Sequence, residues 1–185
     1  MKFEVFCLSL KSDMDRRNHM LTIFDKMGID VSFFDAIVPI DLTSENKRYF
    51  NNCDFYEWDI NQKAVMATFI SHMKLLEYSA NNNKNILIIE DDLDYTLSID
   101  FNAMKFETFD LYNVGLPFSC YSYFVSNVGS MKILKELNSK VITQAYDWEL
   151  SKLSTINKVN SEYPHFIQIE NRFKSNIAPN GYNRY

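Results

Sequence analysis

The chain has 185 residues, of which 46% are hydrophobic and 15% aromatic. That is enough apolar material to bury one sizeable core and to offset the entropy of ordering it, which excludes a disordered chain. A formal net charge of −5 and a pI near 5.2, with no basic stripe, give no electrostatic basis for nucleic-acid binding.

The cysteines Cys7, Cys53 and Cys120 are far apart and odd in number. They form no CxxC or Cys/His spacing, so they read as thiols of a reducing compartment, and a cytoplasmic location is expected. At the N-terminus, Glu4 interrupts the apolar run and no small-residue cleavage site follows, so no signal peptide is expected. No apolar run approaches the roughly 18 residues that a spanning helix needs.

In chain order, Phe3 to Leu10 reads as a strand buried on both faces. Ser12 with Asp15 marks a helix start, Met20, Phe24 and Met27 share one face of that helix, and Gly28 ends it. Val31 to Ile37 is a second strand. Asp41 to Asp59 is polar, aromatic and aperiodic, and reads as a long connection. Asn61 to Ala80 is helical, with Phe69, Met73, Leu76 and Ala80 on one stripe. The asparagine-rich run 81–85 is a turn.

Ile86 to Ile89 is a short apolar strand. Phe109 to Val114 and Tyr121 to Val125 are further strands, Ser130 to Leu137 is a short helix, and Phe166 to Ile169 is a last strand. The tail from Asn171 is polar. Strands alternating with helices predict a single α/β domain with a mainly parallel sheet.

The chemistry concentrates where the apolar strand ends, at Glu90-Asp91-Asp92. Ligands of open α/β sheets bind at the carboxyl ends of strands. If extended geometry persists, Glu90 and Asp92 point to one side and Asp91 to the other. Paired carboxylates repel each other unless a cation sits between them. Mg²⁺ or Mn²⁺ takes one or two carboxylates plus substrate phosphates. The competing reading is an acidic strand end that caps a turn. A two-component receiver domain also carries acids after its first strand. It needs a later strand ending in aspartate, whereas the next strand here ends at Gly115, and about 85 organised residues precede the cluster.

Six segments in order resemble glycosyltransferase family 25, which includes bacterial lipooligosaccharide and collagen galactosyltransferases. They are Leu8-Ser9-Leu10 with Arg16-Arg17, Phe33-Phe34-Asp35-Ala36, Ser71-His72, Glu90-Asp91-Asp92, Tyr123-Phe124-Val125-Ser126 and Tyr146-Asp147-Trp148. Ala67 and Thr68 stand where the family usually carries a glycine and a cysteine. The resemblance implies a GT-A-like, Rossmann-like fold, a nucleotide-sugar donor (most often UDP-galactose), a divalent metal and inversion at the anomeric carbon.

On that resemblance, Glu90 and Asp92 hold the metal, and Leu10, Arg16, Arg17, Asp35, Ser71, His72 and Asp91 contact the nucleotide sugar. A guanidinium forks onto phosphate or stacks on a base; the alternative is an exposed arginine pair in a helix's first turn. Asp35 suits a ribose or base, or is a plain strand-end turn residue. His72 borders the apolar face with Val65, Phe69 and Leu76. It is a donor contact or a core histidine. Asp147, with Glu149 next, is the base an inverting transferase needs; the alternative is a helix-start acid pair beside a half-buried Trp148. The aromatics Tyr49, Phe50, Phe55, Tyr56 and Trp58 cover the core or line an acceptor groove.

The expected activity is metal-dependent transfer of a hexose, galactose first, from a UDP-sugar to a glycan acceptor in lipooligosaccharide or surface-polysaccharide synthesis. Peripheral association with the membrane that carries the acceptors is part of that expectation. Its rivals are a non-catalytic nucleotide-sugar-binding relative and an acidic-cluster phosphohydrolase.

Overall fold

The computed structural model describes residues 3–38, 60–96, 99–101, 105–117, 119–140, 142 and 144–169. The connection expected over Asp41 to Asp59, with its aromatics, and the tail from Asn171 lie outside the described residues.

The elements run β1 (Glu4–Ser9), α1 (Met14–Met27), β2 (Ser32–Asp35), α2 (Ile60–Asn82), β3 (Ile86–Glu90) and β4 (Leu93–Tyr95). A 3₁₀ turn (Phe106–Thr108) precedes β5 (Leu111–Asn113), β6 (Ser122–Val125), α3 (Asn127–Asn138), α4 (Tyr146–Ser151), β7 (Lys158–Asn160) and β8 (Phe166–Gln168). The main sheet has the order β2-β1-β3-β6-β5-β7. Strand β1 is parallel to β2 and β3, and β5 is parallel to β7. Strand β6 reverses against both β3 and β5. The mainly parallel sheet expected from the sequence is present, with β3 in its interior and parallel to β1.

Local chemistry sets the boundaries. Gly28 closes α1 in the left-handed conformation at φ 64°, donating its N–H to Asp25, while Ile29 N–H reaches back to Phe24. That paired closure favours glycine because no Cβ opposes the positive φ. Asn83, at φ 54°, turns the chain out of α2. Helix α3 begins three residues before the expected Ser130. Ser126 Oγ is its N-cap and accepts from Gly129 N–H at 3.0 Å. A Cβ on Gly129 would meet the Asp110 carbonyl oxygen at 2.1 Å, so only glycine lets the helix approach β5 this closely.

Alternation sorts the core onto the two sheet faces. On β3, Ile86 and Ile88 face α2, α3 and α4, while Leu87 and Ile89 face the α1 side. On β6, Tyr123 and Val125 share the first face and Phe124 the second. Strands β4 and β7, the 3₁₀ turn and helix α4 go beyond the elements expected from the sequence. Among the described residues, no helix is long and apolar enough to cross a membrane.

Candidate active site

Because β1, β2 and β3 are parallel, their carboxyl ends deliver Ser9, Leu10, Asp35 and the acidic triplet to one edge. Strand alternation carries the cluster one residue beyond the apolar run. Glu90 continues the phase of Ile86 and Ile88 and meets His72 of α2, its Oε1 lying 3.2 Å from Nε2. Asp91 takes the opposite face and meets Arg16 of α1, whose Nη1 donates to Oδ1 at 2.8 Å. The extended run stops there, because Asp91 and Asp92 form a turn into β4. Asp92 therefore does not return to the Glu90 face. Its Oδ2 accepts from Gln168 Nε2 of β8 at 3.0 Å and lies 3.8 Å from Arg16 Nη1. Its Oδ1 is buried, with no hydrogen-bond partner among the described residues.

The electrostatics follow from this burial. Burial raises the Asp91 carboxyl above its ordinary value, against the lowering influence of Ser9 and Arg16. Burial also raises Asp92, and the charge of Glu90 adds to it, while Gln168, Arg16 and the residue's own backbone N–H act the other way. A buried acceptor with no donor is costly to maintain.

The arginines are turned inward, unlike the nucleotide-facing pair implied by the resemblance. Arg16 is buried at 5% exposure and is shared among Asp13, Asp91 and Asp92. An arginine surrounded by carboxylates offsets their charge and does not present its fork to an incoming phosphate. Arg17 donates to the Leu10 and Ser9 carbonyls and to Asp35 Oδ1, and lies over the Phe33 ring. Asp35, half exposed, also lies 3.9 Å from Lys11, so it remains open to a ligand hydroxyl. Leu10 contributes its carbonyl to the β1–α1 turn.

Ser71 is fully buried. Its hydroxyl donates to the Ala67 carbonyl and accepts from Ile37 N–H, pinning the chain after β2 onto α2. His72 is also fully buried, bonded to Tyr123 and Glu90 and stacked on Tyr146.

The Asp147-Trp148-Glu149 segment is the first turn of α4. In a helix its two acids diverge. Asp147 is half-buried, and its Oδ1 accepts from Trp148 N–H at 2.9 Å. Glu149 is 2% exposed and its carboxylate is occupied by Lys140 at 2.9 Å and by Gln144 N–H at 3.1 Å. Glu149 thus anchors the helix start, and the structure does not bring it to the cluster as a second base. Trp148, half-buried only in the alternative reading of this segment, is 62% exposed. Burial pushes the Cys120 thiol well above its ordinary range, and the charges of Asp147 and Glu90 both add to it.

Sequence reasoning assigns no role to Tyr123, Tyr146 or Gln168. The first two stand in segments that carry the family resemblance, which is the available signal. Gln168 carries none, since its reach to Asp92 depends on the β4–β8 pairing.

The profile of glycosyltransferase family 25, described as an LPS biosynthesis protein family, matches residues 2–114. A Haemophilus influenzae protein with a provisional glycosyltransferase name is 33% identical over 120 residues, covering 55% of this chain and 40% of that protein. An Aedes aegypti glycosyltransferase 25 family member is 28% identical over 98 residues, covering 49% of this chain and 16% of its own length. The chain thus spans less than half the length of both relatives. Among solved structures, a glycosyltransferase involved in glycosylating the major capsid of PBCV-1 superimposes with a TM-score of 0.50 at 6% identity, over 87% of this chain and 82% of that one. That likeness concerns the fold, and it agrees with the α/β, GT-A-like architecture expected from the sequence. The profile match covers more than half of the residues and includes β1, β2 and the acidic triplet, so the chain belongs to glycosyltransferase family 25.

Proposed function

We propose that this domain transfers a hexose, galactose first, from a UDP-sugar to a hydroxyl of a glycan acceptor, with inversion at the anomeric carbon. The observation that carries the reading is the buried, unpartnered Oδ1 of Asp92, next to Glu90 at the carboxyl edge of parallel strands. Among the described residues, no three His, Cys, Asp or Glu side chains are grouped to cage an ion by themselves. That donor set fits Mn²⁺ or Mg²⁺, which take one or two carboxylates and complete their shell with phosphates. Glu90 and Asp92 are the residues to hold it. When bound, the ion supplies positive charge against a leaving diphosphate.

The chain's own residues do the rest. Arg16 keeps two adjacent acids tolerable inside the fold. Asp35 is placed for the ribose, and Asp91, held by Arg16, fixes the turn on which Asp92 sits. Asp147 takes the proton of the acceptor hydroxyl as that oxygen bonds to the anomeric carbon and the bond to the diphosphate breaks. Exposed Trp148 offers a flat apolar face to a sugar ring. The setting that suits this chemistry is the cytoplasm, at the periphery of a membrane bearing lipid-linked acceptors.

A panel of nucleotide sugars tests the proposal, scored by melting temperature in Mn²⁺ and in chelator and by slow donor hydrolysis. UDP-galactose should stabilise most, and mainly in Mn²⁺. Equal stabilisation in chelator removes the metal. Tight binding without turnover on any glycan or water selects the non-catalytic reading. Hydrolysis of simple phosphate esters selects the hydrolase.

A further inference from the structure

Four side chains join Glu90 to the base of α4. Glu90 Oε1 lies 3.2 Å from His72 Nε2, His72 Nδ1 lies 3.0 Å from the Tyr123 hydroxyl, and that hydroxyl lies 3.1 Å from the hydroxyl of Tyr146. We propose that Tyr146, Tyr123 and His72 form a one-way hydrogen-bond relay that positions Glu90 and ties it to the helix carrying Asp147.

The direction follows from donor counting. An ionised Glu90 only accepts, so His72 Nε2 carries the proton. In the neutral ring, Nδ1 then accepts, and the Tyr123 hydroxyl is its donor. Tyr123 has one proton and has spent it, so its oxygen accepts from Tyr146. Burial raises both phenols well above their ordinary value, so each keeps its O–H; their mutual bond raises Tyr123 and lowers Tyr146, which alone would make Tyr123 the donor, but Nδ1 already takes that proton. Every donor along the chain therefore points toward Glu90.

The rings are held as firmly as the protons. Tyr146 stacks on His72 with centroids 4.5 Å apart and planes within 8°, and Phe69 packs edge-on to Tyr146 at 5.4 Å. His72 is fully buried, so no water can replace the bond to Glu90. The Glu90 side chain is 27% exposed, so His72 fixes one of its oxygens while the side chain stays within reach of a ligand. His72 and the two tyrosines are thus positioning residues. A histidine that fixes a ligating carboxylate from behind sets metal affinity without touching the metal. The link to metal rests on the proposed role of Glu90. The relay itself does not.

The test has two arms. In the full chain labelled with ¹⁵N-histidine, long-range proton–nitrogen correlation at neutral pH reads the tautomer of each ring, and H72Q identifies the His72 signals. The relay predicts a neutral His72 protonated at Nε2; Y123F, which removes the donor to Nδ1, should keep that tautomer and move the Nδ1 resonance toward that of an unbonded ring nitrogen, with a smaller move in the same direction for Y146F. An Nδ1–H or doubly protonated wild-type ring overturns the relay. The second arm measures Mn²⁺ affinity in the presence of UDP. A glutamine amide reaches the place of Nε2 and an asparagine amide does not. H72Q should therefore stay within about 3-fold of wild type, whereas H72N should lose roughly 10- to 100-fold. Equal losses in both variants, or none in either, overturn the positioning role. The predicted tautomer in a wild-type protein that shows no Mn²⁺-dependent UDP binding keeps the relay and overturns the metal reading of Glu90.

Discussion

Two aspartates, one buried and one partly buried, stand at opposite edges of the same sheet, and they are treated in opposite ways. Asp110, just before β5 at the edge where β3 begins, is 6% exposed. Lys132 Nζ donates to its two oxygens at 2.9 and 2.8 Å, and Asn157 N–H adds a bond at 2.8 Å. Asp92, at the edge where β3 ends, has one oxygen on Gln168 and the other on nothing within the described residues. Both are shielded from solvent, Asp110 more completely than Asp92, and satisfaction separates them. A satisfied buried carboxylate joins parts of the fold, while an unsatisfied one is a cost that some other use must offset.

A third acid sharpens the contrast, because Asp147 is neither deeply buried nor paired with a cation in the way Asp110 is. If it is the base, Asp147→Asn should lower turnover by roughly 10²–10⁴-fold. UDP affinity should remain nearly intact, because a base acts in the transition state. Turnover of the wild-type size in this variant would free Asp147 of that role. Glu149 would be a poor replacement, given its bond to Lys140.

The comparison breaks if Asp110 behaves like Asp92. Asp110→Ala removes the partner of Lys132 and of a backbone N–H. It should cost about 1–3 kcal/mol in denaturant unfolding, with the partial exposure of Lys132 keeping the loss at the lower end. Its UDP response to Mn²⁺ should match wild type. A protein of unchanged stability would show that the satisfied acid is idle.

A smaller effect concerns pH. Asp92 has its carboxyl raised above 3.8 in the fold, and a protonated acid holds no cation. Mn²⁺-dependent stabilisation by UDP should be complete above that raised value and be lost as pH falls through it. In the metal-free protein the sign reverses. The ionised form is the costly one, so the contribution of Asp92 to stability declines as pH rises from its unfolded value through its folded one. Melting curves across acidic pH, with Mn²⁺ and with chelator, separate the two. Retention of the Mn²⁺ effect down to ordinary carboxylate pH would contradict the burial argument.

Much of this arrangement is legible in the amino-acid sequence. The apolar run Ile86 to Ile89 places an interior strand with three acids at its carboxyl end, because a strand buried on both faces must sit inside a sheet. Gly28 and the asparagine run mark helix ends through backbone conformations that few residues adopt. The arginines mislead because spacing places a side chain on a helix without saying which way it turns. Arg16 turns inward to three carboxylates, two of them distant in sequence. Glu149 misleads for a related reason, since Lys140 and Gln144 claim it only once α3 and α4 are packed. The His72 network is half visible. Its stripe on α2 can be read, but Tyr123 and Tyr146 reach it from β6 and α4, and no local pattern announces that meeting.

The central claim is that the unpartnered carboxylate oxygen of Asp92 is kept for a cation that holds the donor's diphosphate. Asp92→Asn tests it directly, by melting temperature with and without UDP, each in Mn²⁺ and in chelator. The account predicts that the metal-free variant is as stable as wild type or more so, since a desolvated charge is gone, and that the Mn²⁺-dependent part of the UDP stabilisation disappears. A variant that is less stable without metal and keeps the full Mn²⁺-dependent response would contradict it.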